Sequence, residues 1–338
     1  MLAKIKSFAV IFLVLFVLLL SYFSLRAPVP YTKTEFLMDT VMKVTVYDHG
    51  AGSAVEKVFS RLRALDEMLS VHKEDSRMTM LNNAPAGQAV AVDGDMIEIL
   101  NKSKQFSTLT KGAVDVTLLP VTRLWGFGTE HASVPTDEEI QNAILQSGME
   151  KFMVDEESST IIKLTDTLQF DLGAVAKGYA VDVATRMLQA EGIRHACLDF
   201  GGNVSVFGGV PLSPFKRLTT GASTRPYTIG IQKPGATRGE IIETVTLTDG
   251  FVVTSGDYER YFTEGEKEYH HILDPKTGSP ADSGYKSVTV ICNSGTDADL
   301  LSTAIFVGGK NLAEELSPYY RQVILIDKNL GVSTLSAD

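Results

Sequence analysis

From Lys43 to the C-terminus the hydrophobic period of this chain keeps switching between two residues and about 3.6, and that switching limits the fold more than any single motif does. "AVEKVFSRLRALDEML" places Val55, Val58, Phe59, Leu62 and Leu65 on one helical face, while "KVTVYD" just before it alternates as a strand does. The same reasoning predicts helices in "IEILNKSKQFSTLT", "DEEIQNAILQSGM" and "AVAKGYAVDVATRMLQAEG". It predicts strands in "IIKLTD", "LQFDLG", "HACLDFGG", "YTIGIQ", "TVTLTD", "FVVTS", "SVTVIC" and "QVILID". Strands and helices mix without strict alternation, which points to an α+β fold of mixed sheets with packed helices, not to a doubly wound sheet. A length of 338 residues, 44% of them hydrophobic, supplies ample core. Residues 205–226 ("SVFGGVPLSPFKRLTTGASTRP") are rich in Gly, Pro, Ser and Thr and read as a long surface loop.

Lys+Arg 31 against Asp+Glu 41 gives a net charge of −10, which argues against a nucleic-acid surface. The only cysteines, Cys197 and Cys292, sit in apolar strand-like runs, so neither a disulfide framework nor a Cys-rich metal site is expected. The N-terminus differs from the rest. After Lys4 and Lys6, residues 8–25 ("FAVIFLVLFVLLLSYFSL") carry no charge, and at ~1.5 Å per residue they cover ~27 Å, close to a hydrocarbon core. Such a run is a membrane span or a long signal segment. No small-x-small cleavage site follows it, which favours an uncleaved anchor, and the preceding lysines put residues 1–7 in the cytoplasm and the body of the chain outside. Residues 26–34, with two prolines, read as a short stiff tether to a domain spanning 35–338.

Four stretches carry candidate chemistry. In "FDLGAVAKGYAVD" (170–182) a strand is expected to end at Asp171, Gly173 and Ala174 to turn the chain, and a helix to begin with its free N–H groups and positive dipole facing the turn. Its core face would be Ala176, Tyr179, Ala180, Val183 and Met187, leaving Lys177 outward to add a charge; the pattern fits an anion corner, and equally a plain turn with a solvated lysine. In "GTDADLLSTAIFVGG" (295–309), a helix stopped by Gly308 and Gly309, Asp299 and Thr303 lie one turn apart, a hard-oxygen pair suited to Mg²⁺. Thr296-x-x-Asp299 is also a capping box, which would give Asp299 a purely structural task. In "TSGDYERYFTEGEKEYHHILDPKTGSP" (254–280), strand alternation lets only one of His270 and His271 face a given pocket. "FLMDTVM" (36–42) and "GAVDVTLLPVTRLWGFG" (112–128) read as strand and turn segments lining something apolar.

Taken in order, these blocks resemble the ApbE family of FAD:protein FMN transferases. "MDT" at Met38 stands where that family commonly has Met-Gly-Thr. "LDEMLSVHKEDSRMTMLN" is similar to its second motif, "GAVDVTLLPVTRLWGFG" to its Gly-Ala-Phe-Asp block, "DLGAVAKGYAVD" to its Asp-Leu-Gly block and "GGN" (201–203) to its central turn. "TSGDYERYF…YHHILDPKTG" resembles its longest motif and "DADLLSTAIFVGG" its metal helix. The departures are Asp39 for Gly, Val114 for Phe, the 205–226 loop and the absence of a lipid-bearing cysteine.

The resemblance implies that FAD is bound by Met38, His72, Ala113, Val114, Asp115, Asp171, Lys177, Ser255, Gly256, Asp257 and His271. It implies Mg²⁺ held by the Ala174 carbonyl, Asp299 and Thr303, with His271, the histidine adjoining Ile-Leu-Asp-Pro, as the catalytic group. The implied reaction is attack of an acceptor protein's threonine hydroxyl on the FMN-side phosphorus with loss of AMP. Two other activities share such a site: hydrolysis of FAD to FMN and AMP, and flavin binding without turnover.

Overall fold

A computed structural model of the protein describes residues 12–17, 29–237 and 239–337. Of the apolar run at 8–25, residues 12–17 are helical with exposed side chains; the rest of that run, residues 1–7 and residues 26–28 lie outside the described residues. Among the described residues no helix is long and apolar enough to cross a membrane.

The core of the fold is one eight-stranded antiparallel sheet: β1 (Tyr31–Leu37), β2 (Thr40–Val46), β3 (Ala196–Phe200), β4 (Asn203–Phe207), β5 (Gly250–Gly256), β6 (Tyr285–Cys292), β7 (Gln322–Asp327) and β8 (Val332–Ser336). Each strand pairs with the next of the eight, so the sheet is a meander, and the elements described after β1 that are not part of it are inserted between its strands. Because β1 begins at Tyr31, the sheet takes up residues that the sequence assigns to the tether. Met38 and Asp39 form the tight β1–β2 turn with φ of 49° and 56°, the two left-handed residues that such a hairpin needs. Asp is among the few residues other than Gly that visit that conformation as single residues.

The insertion between β2 and β3 carries α1 (Gly52–Leu69), α2 (Arg77–Asn83), α3 (Gly94–Leu109), α4 (Leu119–Trp125), α5 (Asp137–Ile144) and α6 (Ala176–Ala190); α7 (Pro214–Thr220) follows β4 and α8 (Gly295–Glu315) follows β6. One face of the sheet is covered by α6 and α8, the other by the hairpin of Tyr227–Gln232 with Ile241–Leu247, whose Tyr227, Ile231 and Val245 meet Val204, Val206 and Val252. A strand covered on both faces loses its polar alternation, and β4 is buried throughout. That is why composition misled at 205–226. Ser205 reads as loop chemistry, yet its hydroxyl is bonded to Thr185 on α6 at 2.8 Å inside the core.

Other elements differ from their sequence pattern for equally local reasons. Residues 168–173 form no strand, only a single parallel bridge between Leu118 and Gln169. Their extended path is fixed from the side: Asn82 Nδ2 donates to Phe170 O at 3.0 Å and Asn82 Oδ1 accepts from Phe170 N at 2.7 Å. Buried Lys163 donates to the carbonyls of Asn82 and Leu168 at 2.7 and 3.0 Å. Within 112–128, Pro120 sits in the first turn of a helix, α4, where its missing N–H costs nothing. Residues 178–185 of α6 are buried on every side, since α1, α8 and the sheet all pack on it, so the expected one-sided core face is too narrow. The helix α8 breaks at Gly309 (φ 71°, ψ −164°) but resumes to Glu315 instead of stopping there.

Candidate functional site

The site is set by how closely α6 and α8 approach each other. A Cβ on Gly178 would stand 2.3 Å from Gly295 O and 2.6 Å from Asp299 Cβ, so only glycine permits the contact. This crossing brings the Asp299 carboxylate onto the first turn of α6, where Oδ2 accepts from Gly178 N at 2.8 Å. Asp299 is 4% exposed and also accepts from the Asn203 side chain. Burial raises its pKa; the charge of Lys177 and the bonds from Gly178 and Asn203 oppose that and stabilise the anion.

The capping-box alternative for Asp299 is therefore corrected. The N-cap of α8 is Ser294, and the orphan amides are taken by a carboxylate from another helix: Asp182 accepts from Gly295 N at 2.9 Å, Thr296 N at 2.8 Å, Thr296 Oγ1 at 2.6 Å and Ser294 Oγ at 2.9 Å. Thr296 is a donor here and caps nothing. Asp297 pairs with Lys102 at 2.8 Å. Asp299 is thereby freed from its own helix end and turned toward α6.

Lys177 lies close enough to act electrostatically on both Asp299 and His271, and its Nζ donates to Gly173 O at 3.3 Å. The turn beneath it is tied by Asp171, whose Oδ1 accepts from Gly173 N at 2.9 Å and whose N donates to Val116 O at 2.8 Å. Two of the amides counted on for the anion corner are already engaged, Ala176 N by Leu172 O and Gly178 N by Asp299, so positive charge here comes chiefly from Lys177.

The two histidines separate, but not by strand alternation, since only His270 lies in a strand and His271 follows its end. His270 ends the strand Lys267–His270, packs edge-on against Phe306 with ring centroids 5.4 Å apart, and bonds Ala281 O through Nε2 at 3.0 Å. It is half-buried against the core. His271 bonds Arg260 O through Nδ1 at 3.1 Å; a carbonyl only accepts, so Nδ1 carries the proton and Nε2 presents its lone pair. Burial first, then the charge of Lys177, pushes the pKa of His271 down to about 4, which keeps the ring neutral. Arg260 in turn reaches Asp39 of the β1–β2 turn at 3.5 Å, which brings Met38 to the same corner. Ser255, at the end of β5, bonds Ser302 at 2.8 Å and Thr303 at 3.3 Å.

Of the residues singled out in the sequence, Met38, Asp171, Ala174, Lys177, Ser255, His271, Asp299 and Thr303 fall along this connected set. Ala113 and Val114 lie inside the main core. Asp115 is half-buried beside them, held by Thr117 N and Oγ1 at 2.7 and 2.6 Å, with its pKa raised by burial. Gly256 is buried at the end of β5, and Asp257 beyond it pairs with Lys286 at 3.5 Å. His72 is exposed in the loop between α1 and α2, and no hydrogen bond joins its ring to the corner. Sequence reasoning missed Asn203, named only as part of a turn, and Asp182 and Arg260, quoted but given no task; nothing local marks them, because their partners are far away in the chain.

The oxygen donors here suit a hard cation. Asn203 Oδ1 is buried without a partner, beside the Asp299 carboxylate and one turn from the Thr303 hydroxyl. Among the described residues no group of three or more His, Cys, Asp or Glu could hold a metal. A small set of oxygens completed by substrate phosphates is what Mg²⁺ takes, so the residues fit. Two surface hollows, one around Asp48, Glu191 and Arg194 and one around Glu98, Lys102 and Arg186, include neither Lys177, His271 nor Asp299.

A buried carboxylate, a lysine and a neutral imidazole near one turn are groups whose chemistry suits a phosphate-bearing ligand. The model of the ApbE family matches residues 38–324, and the chain belongs to that family. A Klebsiella pneumoniae (strain 342) protein named FAD:protein FMN transferase is 29% identical over 276 residues, 82% of either chain. One of the same name from Treponema pallidum (strain Nichols) is 31% identical over 288 residues, covering 82% of this chain and 79% of that protein. The crystal structure of an ApbE protein from Thermotoga maritima superposes with a TM-score of 0.79 at 30% identity, covering 90% of this chain and 96% of that one.

Proposed function

We propose that this protein transfers FMN from FAD to a threonine hydroxyl of an acceptor protein, releasing AMP, with Mg²⁺ at the Ala174, Asp299 and Thr303 oxygens. The observation that carries this reading is the convergence of Lys177, neutral His271 and buried Asp299 at one turn. Mg²⁺ would supply charge neutralisation at the pyrophosphate. Lys177 would hold the phosphates by charge. Nε2 of His271 would accept the hydroxyl proton as the threonine oxygen bonds the FMN phosphorus and the bond from that phosphorus to the AMP oxygen breaks. A base held neutral is available for this across the physiological range. Met38 and Asp171 would position the FAD.

Incubation of the full chain with FAD, Mg²⁺ and a candidate acceptor, read by mass spectrometry, should add one FMN to a threonine with one AMP released. AMP formed equally without acceptor would make the protein a pyrophosphatase, and FAD bound without AMP a carrier. The uncharged run at 8–25 with Lys4 and Lys6 before it supports a single-pass anchor with the domain outside the cytoplasm. Protease added to intact cells should then reach the domain.

A further inference from the structure

Residues 205–226 contain Lys216, Arg217 and Arg225 and no acidic residue, in a chain of net charge −10. Their centre is α7 (Pro214–Thr220), which buries none of its residues. Phe215 is 59% and Leu218 85% exposed, and Lys216 and Arg217 lie between them in the chain. Ser213 caps the helix start through Lys216 N, and left-handed Gly221 ends it, so this is a formed element; Arg217 Nε donates back to Leu212 O at 2.9 Å, and among the described residues none buries Phe215 or Leu218.

Its place in the fold says what it faces. Register across the sheet puts Tyr31, Val46, Ala196 and Phe207 in one row. Phe207 ends β4 and leads into α7, and Tyr31 begins β1, about 14 Å away at three strand spacings. The row at the other end of the sheet is Glu35, Met42, Phe200 and Asn203, with the Met38–Asp39 turn just beyond it, and that end holds the candidate site. Only Arg26 to Pro30 separate the apolar run from β1, a reach of at most about 18 Å. The chain therefore enters the sheet, after its apolar run, at the same end from which β4 leads on to α7.

We propose that α7 rests on the bilayer surface, with Phe215 and Leu218 in the headgroup layer and Lys216 and Arg217 on anionic lipid phosphates. The proposal rests on the anchor reading of residues 8–25. Two contacts, the anchor and α7, would fix the tilt of the domain and turn the site away from the bilayer, toward an acceptor threonine held some distance above it.

The test uses the full chain in phosphatidylcholine–phosphatidylglycerol vesicles, with and without lipid carrying a shallow doxyl group. Trp125, the single tryptophan, is 2% exposed and gives a constant background. In F215W the added emission should shift to the blue and fall about twofold with doxyl lipid, and the double change K216E/R217E should reverse both. Vesicle flotation of the same samples separates the two readings. A chain that floats while the added emission answers to aqueous acrylamide and not to doxyl lipid keeps the anchor and overturns the α7 contact. A chain that does not float overturns both. Unquenched emission together with slower FMN transfer by Leu218→Asp in detergent would assign the face to the acceptor protein, and also overturns the proposal.

Discussion

Replacing Asp299 separates its two tasks, holding α6 and presenting charge to the site. Asp299→Ala removes the acceptor of two buried donors, Gly178 N and the Asn203 amide. An unsatisfied buried donor costs about 1–3 kcal/mol, so the loss should be about 2–6 kcal/mol, a large share of the ~5–15 kcal/mol of a typical domain. Asp299→Asn keeps a carbonyl oxygen for Gly178 N, and its new amide can donate to Asn203 Oδ1, which now has no partner. It also removes a charge whose burial is unfavourable, as the raised pKa records. Its stability should stay within about 1 kcal/mol of wild type, while FMN transfer is lost. Urea unfolding followed by Trp125 fluorescence in metal-free buffer gives the stabilities, and FMN added to an acceptor threonine per unit time gives the activity. Unchanged stability in Asp299→Ala would refute the bonding argument, and near-normal transfer by Asp299→Asn would refute the role of the charge.

Because the folded protein holds His271 near pKa 4 and an unfolded histidine titrates near 6.5, activity should stay flat through pH 6.5 and fall only toward pH 4–5; a half-loss at pH 6.5 in the pH–rate profile would count against it. The same difference makes stability, full above pH 6.5, decline as pH falls from there toward 4, since the unfolded state takes up a proton that the folded state refuses; His271→Asn should flatten that slope in urea titrations. In transfer assays at saturating FAD and Mg²⁺, His271→Ala should lose ~10²- to 10⁴-fold and His270→Ala far less, and equal mild losses would remove histidine from the chemistry. Asp182→Ala strips the start of α8 of a carboxylate with four bonds and should destabilise by at least ~3 kcal/mol in chemical unfolding.

Much of this protein was legible from neighbours in the chain. The periods of α1, α3 and α6 and of most sheet strands are local properties, and the motif blocks named the residue types that meet at the corner; the alternation argument for His270 and His271 did not apply, because the strand ends at His270. Tertiary structure decided the rest. It made β4 a central strand despite a loop-like composition, because a strand covered on both faces can carry Ser when Thr185 answers it. Packing gave the cap of α8 to Asp182, a residue 112 to 114 positions earlier, and so turned Asp299 from its own helix end onto Gly178. It also set His271 beside Lys177 and behind Arg260 O, where burial and a like charge keep it neutral. Caps, burial and charge neighbours are relations between groups far apart in sequence. The Asp299–Gly178 bond in particular needs the close α6–α8 approach that glycine at 178 permits.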